Sequence, residues 1–449
     1  MDFYFRDIAS VLGREVDASE EELVITGFST DTRTIETGMM FIAIPGENFD
    51  GGNFISTAIE KGASAVLTER EIAGKGIITV GNSVKALGSI ASAHRKSMDI
   101  PLIAVTGSTG KTSTRNYLTS VLKERFQTHF TKGNLNNHIG LPMTLLEIDP
   151  SHEVSVVEMG MSGPGEIDYL AGLTEPDFGV ITNIGMSHIG MLGSQENIFK
   201  AKTEMVRHIK TGGFLVVNGD DGYLVSLRNS REPKVIMFGM KAHNDFVIKD
   251  EKSDEKGCYS FRVDGSSYNL NVRGLHNIYN AMPAIIIGKM MGMSTDEISN
   301  GLMNFRNEKL RLDITEENDI TIINDAYNAS PDSMKASLSI LGDFKGRKIA
   351  VLGDMLEMGG FSEKAHHELG QTAAATVDIL ICCGKEAAAI ADGAIEKGMT
   401  ADNIHRFSDS DEAGMHLSRI IEKGDVILVK GSRGMKMENV IKYIRTGGY

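Results

Sequence analysis

Short, almost continuously apolar runs, each followed by a stretch of helical character, recur along this 449-residue sequence. PLIAV, VSVVEM, FGVITNI and GFLVVN lie in its middle, and DITIIND, KIAVLGD, DILICCG and DVILVKG in its last third. A strand that is apolar on both faces has to be covered on both. Intervening segments such as ENIFKAKTEMVRHI supply that cover. The spacing therefore predicts an α/β protein with mostly parallel sheets.

Three units follow from the pattern. Residues 1–98 hold the short runs LVITGF, MFIAI, SAVLT and GIITV alternating with helix-like segments, a small N-terminal α/β domain. Residues 99–310, after the punctuation of Pro101, form a central P-loop-type domain on a mostly parallel sheet. Within it, 246–273 reads as antiparallel strands joined by polar turns that decorate the sheet. Residues 311–449 show the clearest alternation, a C-terminal Rossmann-like doubly wound domain.

Composition narrows the partners. A formal net charge of -14 disfavours nucleic acid or an anionic membrane as the main partner, so an anion site has to be built locally. No apolar run approaches the ~20 residues of a membrane span, and MDFYFRDIASVLG lacks a basic stretch leading into an apolar one. Cytoplasmic location without membrane insertion is the expectation. Cys258, Cys382 and Cys383 show no metal-binding spacing and read as reduced core residues.

One segment carries chemistry on its face. IAVTGSTGKTST (103–114) is an apolar strand entering Gly107-Ser108-Thr109-Gly110-Lys111-Thr112-Ser113 and then a helix. Glycines let backbone N–H groups approach an anion, Lys111 adds a cation for the β/γ phosphates, and the Thr112 hydroxyl suits Mg²⁺. The full phosphate-loop pattern has glycine where this chain has Val105, so a tight turn with a surface lysine is the competing reading. Glu158, ending SVVEM, and His188, after FGVITNI, occupy equivalent ends of neighbouring strands and make a pair of metal-side candidates. Taken singly, each is as well explained as a solvated carboxylate and a loop histidine.

The order of several further motifs resembles the Mur ligases and their folylpolyglutamate-synthase relatives. They are the loop without its first glycine, GNLNNHIGLPMTLL (133–146), ITNIGMSHIGMLGSQENIFKAKTE (181–204) and GLHNIYNAMPA (274–284), followed by INDAYNASPDSM (323–334), VLGDMLEMGGFSEKAHHELG (351–370) and LVKGSRGMKMENVI (428–441). YNASPDSM, and the absence of Asp-Asn-Pro-Arg, resemble the dipeptide-adding branch of that family rather than the branches adding one amino acid. The resemblance implies an ATP- and Mg²⁺-dependent amide ligase of peptidoglycan precursor synthesis. Its partners would be UDP-N-acetylmuramoyl-tripeptide and D-alanyl-D-alanine, and a monomer is expected. A single-amino-acid or folate ligase is the alternative within the family, and an ATP-switched binding protein the alternative outside it.

Residue by residue, the resemblance implies that Lys111, Glu158, His188 and Lys202 are catalytic, with Thr112, Glu158 and His188 on the metal and Lys202 a candidate for carbamylation. It implies ATP contacts from residues 107–113 and from Asn277, Asn280, Arg311 and Asp325. Substrate contacts are implied for Thr30, Asp31, Thr32, Arg33, Asn134, Asn136, Asn137, Tyr327, Asn328, Ser432 and Arg433. Gly51-Gly52-Asn53 departs from the family's usual Gly-His. On the residues alone Lys202 is a solvated helix lysine, Asn277 a helix cap and Arg311 half of a surface ion pair.

Overall fold

Sheets form where the apolar runs lie, and the residues of each run divide by parity between two helical layers. In the computed structural model, which describes residues 2–46 and 49–446, the central sheet has seven strands. From edge to edge they are Phe246–Val247, Lys234–Gly239, Phe214–Asn218, Phe178–Ile181, Leu102–Thr106, Val154–Glu158 and Thr128–Phe130. All pair in parallel. Leu102 and Ala104 pack with the helices Gly140–Leu145 and Glu166–Thr174, whereas Ile103 and Val105 pack with Lys111–Leu122 and His276–Met290.

The strand carrying Glu158 and the strand preceding His188 flank the loop strand on opposite sides. They are neighbours of that strand and not of each other. Within 246–273, Lys249–Ser253, Cys258–Val263 and Ser266–Arg273 form a separate three-stranded antiparallel sheet, while Phe246–Val247 extends the parallel one.

The C-terminal sheet runs Asp313–Glu317, Ile320–Asp325, Val426–Lys430, Lys348–Gly353, Ile379–Cys383, Ile404–Phe407. Alternate residues again separate: Val426 and Leu428 face Leu338 and Leu369, while Ile427 and Val429 face Leu417 and Val440. The first strand is antiparallel to the second, so this sheet is mixed. Asn318 and Asp319, both at positive φ, turn that hairpin. Its polar sequence DITEE suits an edge position and lacks the buried-strand signature.

The N-terminal sheet has four parallel strands, Phe28–Ser29, Met40–Ile42, Ala65–Thr68 and Ile77–Thr79. Helix Ser83–Ser97 joins it to the central unit through a shared core in which Leu87 and Ile90 pack with Leu141 and Leu170. Among the described residues no helix is long and apolar enough to cross a membrane.

Candidate functional site

Thr106 ends the loop strand, and Gly107 and Gly110, at φ 150° and 78°, carry the chain into helix Lys111–Leu122. Neither glycine tolerates a side chain: a Cβ on Gly107 would collide with the Thr182 hydroxyl, and one on Gly110 with the side-chain carbonyl of Asn280. The adjacent strand end braces the loop. Thr182 Oγ1 donates to the Thr109 carbonyl at 2.6 Å, and Asn183 Oδ1 accepts from Thr109 N at 3.0 Å. Lys111 folds back, its Nζ donating to Gly107 O at 3.0 Å and Ser108 O at 3.4 Å. Burial pushes its pKa down, against the opposing pull of Glu158.

Parallel register sets Glu158 beside this loop, since it pairs with Val105 across the strands. Its side chain is 2 % exposed. Asn136 Nδ2 donates to Oε1 at 2.8 Å, whereas Oε2 accepts no hydrogen bond and lies 3.4 Å from Arg115 Nη1. Arg115, fully buried one helical turn beyond Lys111, also donates to Gly133 O at 2.9 Å and pairs with Glu308. Asn137 caps the following turn, its Oδ1 accepting from Gly140 N at 2.8 Å.

His188 stands at the other side of the loop in a left-handed backbone conformation (φ 64°), its Nδ1 2.5 Å from Glu357 Oε2. Lys202, on helix Gln195–Thr203, is 1 % exposed rather than solvated, and no described hydrogen bond or ion pair meets its amine. Burial and the nearby Lys111 push its pKa well below the usual lysine value.

The opposite wall comes from 274–337 and the last strand. Asn277 Nδ2 donates to Arg273 O at 2.7 Å, and Asn280 Nδ2 to Asn277 Oδ1 at 3.3 Å. Arg311 lies with its guanidinium carbon 3.8 Å from the centre of the Tyr327 ring, between two left-handed leucines, Leu310 and Leu312. Its Nε is 4.0 Å from Glu308. Asp325 accepts from Ser337 Oγ at 2.6 Å and from Leu312 N at 3.1 Å, and pairs with the buried Lys430, whose Nζ also donates to Asn328 O at 3.1 Å. Burial lowers the pKa of His276, in the same wall, to about 4.

These walls enclose a cavity of about 620 Å³. It is lined by Ser108 to Ser113, Asn134, Asn136, Asn137, Glu158, His188, Asn277, Asn280, Arg311, Asp325, Tyr327 and Asn328. Other expected residues lie elsewhere. Gly107 and Lys202 do not line it. Thr30 to Arg33 form a turn in the N-terminal unit, where Lys61 Nζ donates to Thr32 O at 2.8 Å, and Asp31 accepts from Arg33 N at 2.8 Å and from its guanidinium. Those bonds hold Asp31 at about 2. Ser432 accepts from Leu356 N at 2.8 Å, and Arg433 is paired with Glu438 at 2.9 Å.

Sequence reasoning did not single out Thr182, Asn183, Arg115, His276 and Lys430. Thr182, Asn183 and His276 lie in the motifs ITNIGMSH and GLHNIYN, and Lys430 is a charge ending the apolar run VILVK; Arg115 carried no local signal.

The residues fit a magnesium nucleotide. Among the described residues no group of three or more His, Cys, Asp or Glu could cage a metal. Mg²⁺ instead favours one or two carboxylates plus water and substrate phosphates. Glu158 with its orphaned oxygen, next to Thr112 and the loop, is such a donor.

Comparison with known families matches residues 24–104 to "Mur ligase family, catalytic domain", 105–288 to "Mur ligase middle domain" and 310–433 to "Mur ligase, glutamate ligase domain". The chain is 38% identical over 442 residues to the UDP-N-acetylmuramoyl-tripeptide–D-alanyl-D-alanine ligase of Bacillus subtilis, covering 96% of each. Its fold is similar to crystal structure I of MurF from Acinetobacter baumannii (TM-score 0.90, 30% identity, 98% of both chains). It is similar also to MurF from Thermotoga maritima in complex with ADP (TM-score 0.83, 29% identity, 94% of this chain and 97% of that one).

Proposed function

The chain belongs to the Mur ligase family, and from that premise we propose that it joins D-alanyl-D-alanine to UDP-N-acetylmuramoyl-tripeptide at the expense of ATP. One observation supports this above the others: the Gly-Lys-Thr loop and Glu158 face Arg311, Asp325 and Lys430 across a single cavity. A nucleotide held by the loop on one wall would be within reach of side chains from the other.

A carboxylate resists amine attack because its oxygen is a poor leaving group. In the proposed reaction a peptide carboxylate oxygen attacks the γ-phosphorus of ATP and ADP leaves. The ammonium of the incoming dipeptide gives one proton to water, its nitrogen attacks the acyl carbon, and the tetrahedral intermediate passes a second proton to the departing phosphate as it expels it with the transferred oxygen. Lys111 and the loop N–H groups hold the phosphates and offset the charge developing there. Thr112, Glu158 and His188 would hold Mg²⁺, which when bound polarises the phosphoryl oxygens. Asn277 and Asn280 hold the adenine side of ATP, Arg311 contacts its phosphate or ribose, and Asp325 contacts it from the same wall.

Lys202 has the properties that carbamylation needs: it is buried, unpaired and biased toward the neutral amine. Its nitrogen adds to CO₂ and loses a proton, giving a carboxylate directed to the metal side of the loop. Residues 1–98, with Thr30 to Arg33, bind the UDP-sugar; residues 99–310 bind ATP; residues 311–449 bind the amine, with Tyr327, Asn328, Ser432 and Arg433 on their side. Asn134, Asn136 and Asn137 meet the peptide end, and the protein works as a monomer.

The test is phosphate release with ATP, Mg²⁺ and both peptide partners. Release is expected only when both partners are present, with heavy oxygen from the tripeptide carboxylate found in the phosphate, and none from Lys111→Ala. Steady release without acceptor, or unlabelled phosphate, would refute the proposal.

A further inference from the structure

Gly190, from the central unit, and Gly359, from the C-terminal one, meet backbone to backbone. A Cβ on Gly190 would lie 2.6 Å from both the Glu357 carbonyl oxygen and Gly359 N, and one on Gly359 would lie 2.8 Å from Gly190 Cα. Gly190 N donates to Glu357 O at 2.9 Å. Beside this contact two residues that are not glycine adopt left-handed backbone, His188 at φ 64° and Glu357 at φ 64°. Their side chains meet, Nδ1 to Oε2 at 2.5 Å.

We propose that Glu357 is a positioning residue for His188, supplied from the C-terminal unit across this glycine contact. The pair is too exposed to matter as an ion pair for stability, Glu357 being 54% exposed. Its value lies in where it puts the ring proton. The Glu357 carboxylate, 2.5 Å from Nδ1 but off the hydrogen-bonding direction, draws that proton to Nδ1 by charge, and Nε2, which bonds to no described residue, is the unprotonated nitrogen left for the cavity that His188 lines. A carboxylate on the far nitrogen is the usual way of setting the tautomer and orientation of a metal-side imidazole.

Everything around Glu357 serves to place it. Met358 is buried, Leu356 N donates to Ser432 Oγ at 2.8 Å, and Met355 N donates to His366 Nε2 at 2.9 Å. Ser432, which lies outside the cavity lining, thus reaches the site through this turn. Because carboxylate and imidazole belong to different units, His188 is held only while the two are packed as here. Metal binding and inter-unit packing are thereby coupled.

The proposal rests on the reading of His188 as a metal-side residue, and the experiment separates the two. The full chain, labelled with ¹⁵N-histidine, is compared with Glu357→Gln and Glu357→Ala, with the His188 signal assigned by its loss in His188→Gln. Mg²⁺ is titrated calorimetrically into each protein holding a non-hydrolysable ATP analogue. The expected result is an Nδ1-protonated His188 in the parent chain, loss of that preference in both variants, and Mg²⁺ affinity lowered roughly ten- to hundredfold with unchanged melting temperature. If the parent chain takes up Mg²⁺ while both variants keep its tautomer and affinity, the proposal alone is overturned. If the parent chain with the analogue takes up no Mg²⁺, the metal-side reading falls and takes the proposal with it.

Discussion

Replacing Arg115 by methionine tests what balances the Glu158 carboxylate out of water. Arg115 is 0% exposed and Glu158 2%. The guanidinium is the cation beside Glu158 Oε2, the oxygen that accepts no hydrogen bond. Glu308, the other carboxylate on Arg115, is a third exposed and recovers water when the partner goes, so the penalty falls on Glu158. Removing one member of a buried pair costs about 3–5 kcal/mol, which corresponds to an opening equilibrium constant larger by roughly a hundred- to several-thousandfold. In a chain of several units one unfolding midpoint is a poor measure. Native-state hydrogen exchange of the amides in Lys111–Leu122 reads the local free energy instead. Arg115→Met should lower it by that amount, and adding Glu158→Gln should restore at least half, because a neutral amide needs no counter-charge. If Arg115→Met stays within about 0.5 kcal/mol of the parent chain, or if the double variant is no better than the single, the reasoning fails.

Two further outcomes follow from the same structure. Gly110→Ala places a side chain at φ 78° against Asn280, a conformation costing about 1–2 kcal/mol before any clash. ADP affinity measured calorimetrically should fall at least about tenfold, and unchanged affinity would refute the loop's role. His129 is held down to about 3 by burial first and then by His152 and Lys132, against an ordinary 6.5. Its unfolded form therefore takes up the extra proton first as pH falls. The stability this neutral ring contributes is complete above about 6.5 and declines toward 3, by at most about 1.4 kcal/mol per pH unit. The local free energy read by native-state hydrogen exchange in the strand Thr128–Phe130 should fall less steeply between pH 7 and 5 for His129→Gln than for the parent chain; parallel curves would refute this.

What could be read from the letters was whatever local pattern determines. The apolar runs located the buried strands, and the glycine loop announced its own turn because only glycine tolerates those backbone angles next to Thr182 and Asn280. The polar edge strand Asp313–Glu317 escaped notice because an edge need not be apolar. Lys202 read as solvated because its burial is imposed by neighbours distant in sequence. Arg115 read as one more polar residue on a helix, since Glu158 and Glu308 lie 43 and 193 residues away. Glu357 lies in the motif VLGDMLEMGG without standing out from it: its meaning exists only where two units touch.

An acidic chain that grips a triphosphate has to gather cations against its own mean field. Lys111, Arg311 and Lys430 line the cavity, with Arg115 and Lys202 buried behind it. Two of these five are already balanced, Arg115 by Glu158 and Glu308 and Lys430 by Asp325, and balanced cations add little to the pull on an incoming anion. Arg311 reaches Glu308 only at 4.0 Å, while burial lowers the pKa of Lys111 and Lys202, with Arg311 adding to this at Lys111 and Lys111 at Lys202. Hence the cavity, which Glu158, Glu166, Asp325 and Asp332 also line, carries no surplus of positive charge and cannot by itself neutralise ATP⁴⁻. The remainder has to come from backbone dipoles at the loop and from the cation that accompanies the nucleotide. On this accounting the cavity accepts the magnesium complex far better than bare ATP. Carbamylation of Lys202 would sharpen that preference, exchanging a weak positive charge for a negative one beside Lys111.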